Sequence, residues 1–67
     1  MTLRGRLEYR DLEGGTWVLH AAREYVLLGS IPRALEGVTV EVDGDEIDGF
    51  GIAMAGPQLE VRSIRRI

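Results

Sequence analysis

His20 is the only imidazole in this 67-residue chain, and Ser30 and Ser63 are its only serines. Nucleophilic catalysis needs a hydroxyl, a base and an orienting carboxylate brought together. Nothing in the spacing of these residues converges on such a group, and alternation puts His20 on the outer side of a strand, beside Val18. The chain is therefore expected not to be an enzyme. Asp43, Asp45 and Asp48, followed by Gly49, are spaced something like the oxygen ligands of a calcium loop. The third acid falls one place late, however, Ile47 takes the expected position, and no bidentate glutamate closes the run. A solvated hairpin tip, whose like charges discourage edge pairing, accounts for the same residues. With no cysteine in the chain there is neither a disulfide nor a thiolate site. No cofactor and no metal are expected.

The arginines form the larger group. Arg4, Arg6 and Arg10 share the outward side of the first strand, and Arg62, Arg65 and Arg66 crowd the end of the chain. Such residues could contact the phosphates of a single-stranded nucleic acid, where base stacking on exposed aromatics adds about 1–3 kcal/mol per base. Here Trp17, Tyr25 and Phe50 fall on inward sets, so the platform lacks stacking partners. The net charge of −3 also works against a long-range positive field. The structural alternative is cross-strand pairing of Arg4 and Arg6 with Glu41 and Asp43, worth about 0.2–1 kcal/mol per pair. That use is preferred, and Arg62, Arg65 and Arg66 are left without evident partners.

These groups are positioned by short strands. Leu3, Gly5, Leu7 and Tyr9 alternate with Arg4, Arg6, Glu8 and Arg10, the period of two of a half-buried strand. Glu13-Gly14-Gly15 is a turn, and Thr16–His20 and Glu24–Leu28 read as the second and third strands of a meander. Between Ser30 and Gly37 the pattern breaks into one helical turn, with Ser30 placed to cap it and Gly37 to end it. Val38, Val40 and Val42 then alternate with Thr39, Glu41 and Asp43 in a fourth strand that persists partway through residues 43–49. Phe50, Ile52 and Met54 mark a further strand, interrupted at Gly56-Pro57. Leu59, Val61 and Ile64 end the chain, and their change of phase predicts a bulge near Ser63. Residues 1–67 thus make a single all-β domain, a five-stranded OB-like Greek-key barrel with one short helical turn between strands three and four.

The strings Gly14–Leu19, Tyr25–Gly29, Leu35–Val42 and Met54–Ile64 resemble small bacterial OB-like domains of unknown function. The resemblance covers nearly the whole chain and implies the barrel fold, with no catalytic residues to carry over.

A chain this short buries only about 60% of the surface it exposes when unfolded, and without disulfides it needs extra burial. If Trp17, Leu19, Tyr25 and Leu27 fill the barrel, Val18, Val26 and Leu28 point outward beside His20. Outward apolar residues on adjacent strands mark an association surface. A non-enzymatic interaction module is expected, forming a homodimer or meeting another protein through Val18, His20, Val26 and Leu28. The alternative is a weak single-stranded nucleic-acid binder using Arg4, Arg6, Arg10, Arg62, Arg65 and Arg66. No apolar run reaches the roughly 20 residues that span a bilayer, and no apolar leader is present, so a cytoplasmic protein without membrane contact is expected.

Overall fold

The structure is a computed structural model that describes residues 1–11, 14–47 and 57–67. Five strands, β1 (Thr2–Arg10), β2 (Thr16–His20), β3 (Glu24–Leu28), β4 (Thr39–Ile47) and β5 (Gln58–Arg66), close into a barrel in the order β1-β2-β3-β5-β4. A lone 3-10 turn, Arg33–Leu35, lies between β3 and β4. The expected all-β barrel with its short helical insert is what the chain forms. The expected strand through Phe50, Ile52 and Met54, the turn residue Glu13, and Asp48 and Gly49 lie outside the described residues.

β1 serves two neighbours in succession. Its first half pairs antiparallel with β4, from Thr2↔Asp43 to Arg6↔Thr39, and its second half with β2, from Arg6↔His20 to Arg10↔Thr16. The circuit closes through a short parallel contact between β3 and β5, Val26–Leu28 against Gln58–Glu60. Along β4 and β5 the register shifts between Asp43↔Ser63 and Gly44↔Val61, leaving Arg62 as the extra residue of a bulge. That is the change of phase visible in the sequence.

The alternating apolar residues meet inside. Leu7, Leu19, Tyr25, Leu27, Val40, Val42 and Leu59 form the buried cluster, and Leu3, Trp17, Ile31, Leu35, Val38, Val61 and Ile64 pack against it half-buried. Tyr9 meets Trp17 edge-on, with ring centroids 4.8 Å apart, and the Arg33 guanidinium stands 4.4 Å above the Tyr9 ring. The 3-10 turn is entered at Pro32, whose carbonyl accepts from the Leu35 N–H at 3.1 Å, with no side-chain cap. Ser30 therefore does not cap it. Gly37, at φ +80°, ends the turn and donates to the Leu7 carbonyl at 2.7 Å, tying the insert to β1. Among the described residues no helix is long and apolar enough to cross a membrane.

Two glycines permit the strand crossings. A Cβ on Gly5 would overlap the His20 carbonyl, and one on Gly44 would overlap the Glu60 carbonyl. Main-chain atoms of a closed sheet cannot move aside cheaply. Gly5→Ala and Gly44→Ala are each expected to lower stability by several kcal/mol, at least as much as the roughly 2–5 kcal/mol of a core Leu59→Ala. Urea denaturation of the three variants checks the ranking, and wild-type stability in either glycine variant would contradict it.

Candidate functional site

Register fixes which side chains share the outer surface. Around β1, β2 and β3 the outward rows are Arg10 with Thr16; Glu8 with Val18 and Val26; and Arg6 with His20 and Glu24. Four of these residues close a ring in which His20 and Arg10 alternate with two carboxylates. His20 engages Glu8 through Nε2 and Glu24 through Nδ1, the latter at 3.3 Å. Arg10 Nη2 stands 3.3 Å from Glu8 and 3.3 Å from Glu24. His20 and Arg10 thus each touch both carboxylates, and the ring ties three strands together. The hydrogen bond to His20, then that to Arg10, holds the Glu8 carboxyl below the usual glutamate range. Glu8 in turn raises Arg10 above its ordinary value.

This arrangement changes the expected association surface. Val18 is 0% and Val26 6% exposed, so the two valines, though outward by register, are covered within a single chain. Arg10 spans the same face. It leaves β1 opposite Thr16, yet its guanidinium reaches Glu24, which stands opposite His20. Of the expected patch, His20 is half-buried and only Leu28, at 36%, is exposed. The signal for the ring was present in the alternation of Arg6, Glu8 and Arg10, and in Glu24 standing across a tight turn from His20. What the alternation does not encode is how far Arg10 reaches.

A second set occupies the outer face of β1, β4 and β5. Arg4 donates from Nε to Glu41 at 3.1 Å, and Arg65 donates from Nε at 2.8 Å and Nη2 at 2.6 Å to the other oxygen of the same carboxylate. The Glu41 side chain is only 16% exposed while the Arg4 and Arg65 side chains are 70% and 71% exposed. Arg65, then Arg4, holds the Glu41 carboxyl below its usual range. Arg62 reaches Asp45 at 3.1 Å and Asp43 at 3.4 Å. The expected pairing of Arg4 with Glu41 is present, while Arg6 stands opposite Thr39 rather than an acid. Arg62 and Arg65 have acidic partners that the sequence reading did not assign. Arg6 and Arg66 have none among the described residues.

The remaining candidates do not converge. Ser30 is exposed outside the strands, and Ser63 stands on β5 opposite Asp43, not on a strand adjacent to His20. Asp43 and Asp45, the described members of the calcium-like spacing, share Arg62. Among the described residues no three acidic, histidine or cysteine side chains are grouped to hold a metal ion. No family model, curated protein or solved structure matches the chain.

Lowered carboxyl values set a sign for acid stability. Glu8 and Glu41 contribute fully above the unfolded-chain glutamate pKa of about 4.3. Their contribution drains away as pH falls through the lower folded values. Urea midpoints followed from neutral pH downward should drop on this acid limb for the wild type and flatten in Glu8→Gln and Glu41→Gln. Parallel limbs in all three would contradict the assignment.

Proposed function

We propose that the chain is a non-enzymatic interaction module, an OB-type barrel that self-associates through the outer face of β2 and β3. The strand order, with its 3-10 turn between β3 and β4, fits the five-stranded Greek-key plan of that fold and supports this reading of the architecture. Fold alone assigns no activity.

The observation that carries the functional reading is the state of that face. Its only imidazole stands between two carboxylates, Glu8 at Nε2 and Glu24 at Nδ1. His20 is a structural tie. Ion-paired side chains are already ordered, so docking another surface onto them forfeits little further rotamer freedom. Leu28 projects at the edge of the same face, opposite Glu60 across the parallel seam. One exposed leucine beside this polar ring makes a small, largely polar contact area. Contacts of that kind are weak and reversible rather than obligate. A second copy of the chain is the first candidate partner, because a two-fold contact sets each Leu28 against the same patch of its twin.

Sedimentation equilibrium from micromolar to millimolar concentration tests this. The average mass is expected to climb from one chain toward two, and Leu28→Glu is expected to hold it at one chain without changing the melting temperature. A wild-type mass of one chain throughout the range would overturn the proposal.

A further inference from the structure

Leu28 does not stand alone on its row. Directly across the parallel seam is Glu60, and opposite Glu60 on β4 is Asp45. All three are exposed, so one outward row runs from the leucine into two carboxylates. The cations nearby are already committed. Arg62 is shared between Asp45 at 3.1 Å and Asp43 at 3.4 Å, and Asp43 also has the Met1 ammonium at 3.7 Å. Glu60 has no cationic partner among the described residues. Like charges directly opposite in an antiparallel pair repel, so Asp45 adds to the charge around Glu60 rather than relieving it.

We propose that Glu60 is an electrostatic gate on self-association, which holds two copies apart in dilute salt and lets them meet through Leu28 once its charge is screened. This rests on the two-fold contact proposed above. Such a contact is made by the same patch on both copies, so seating Leu28 on its twin brings both Glu60 side chains in with it. Neighbouring strands lie about 4.8 Å apart, which puts each Glu60 one strand from the leucine at the axis. The two carboxylates therefore come within about 10 Å of each other, whichever way the axis runs in the plane of the face. The screening length is about 30 Å at 0.01 M ionic strength and about 3 Å at 1 M. The pair is thus inside the range of its own repulsion in dilute salt and beyond it in concentrated salt. A contact resting on one leucine has little apolar area to set against that repulsion. The acids on the other flank differ, because Glu8 and Glu24 each have Arg10 and His20 beside them. The net charge of −3 adds a repulsion spread over the whole surface rather than placed at the contact.

Sedimentation equilibrium of the intact chain in 10 mM and in 1 M sodium chloride tests the gate. The wild-type dissociation constant is expected to fall from the first to the second. Glu60→Gln should associate at least about two-fold more tightly than the wild type in 10 mM salt, the Coulomb repulsion of two charges about 10 Å apart in water, and match it in 1 M. Glu36→Gln removes the same charge from the end of the 3-10 turn and should change little at either salt. Equal tightening in Glu36→Gln would assign the effect to net charge and overturn the proposal. A wild-type dimer of equal strength at both salts, or one that Glu60→Gln leaves unchanged, would also overturn it while leaving self-association standing. Single chains throughout, in the wild type and in Glu60→Gln alike, would remove the self-association reading and the gate together.

Discussion

Closing a sheet this small depends on strands that change partners partway along, and on the backbone being able to pass where they do. β1 turns from β4 to β2 at Arg6, which belongs to both registers, and Gly5 lies against the His20 carbonyl at that crossing. On the other side of the barrel Gly44 lies against the Glu60 carbonyl, next to the bulge at Arg62. A bulge bends and twists its strand, which lets a short sheet curl enough to close. It also resets which side chains face out. A regular strand that buries Leu59 and Val61 would send Ser63 and Arg65 inward, since the side-chain period is two. The extra residue turns Ile64 toward the core and delivers Arg65 to Glu41 on the surface. The arginine row is therefore a product of barrel closure.

The charge arrangement suits the guanidinium group specifically. Arg65 places two nitrogens on one oxygen of Glu41 and leaves the other oxygen to Arg4. A point-charged ammonium lacks that fork. Exposed pairs of this kind contribute only about 0–1 kcal/mol each, so they do not hold the barrel together. The buried cluster does that. What the pairs supply is orientation: Glu41 fixes two arginines on the flanking strands, and the Glu8–His20–Glu24–Arg10 ring fixes three strands on the other side.

The barrel was legible from residues 3–9, 16–28 and 38–42, because period-two alternation and glycine turns both point to short antiparallel strands. The bulge was legible too, from the phase change between Val61 and Ile64. Cross-strand pairing of Arg4 with Glu41 followed from placing the first strand beside the fourth. The partners of Arg62 and Arg65 were not legible. Strand alternation gives the side a residue faces, whereas those contacts depend on a one-residue shift in register and on side chains that span several ångströms. The same limit hid the ring around His20, whose members come from three strands and whose geometry needs the full register.

Val18 and Val26 show where an inside-outside reading breaks down in so small a domain. Their side-chain direction follows the alternation, and they lie outside the main cluster, yet neither is open to water. Facing out and being exposed are separate properties when each strand is only a few residues wide in solvent and a long side chain can cross two rows. For a chain with no disulfide to hold it, the two valines add burial outside the main cluster. With both valines covered, Leu28 and the charged ring, not the valines, are what this face presents to a partner.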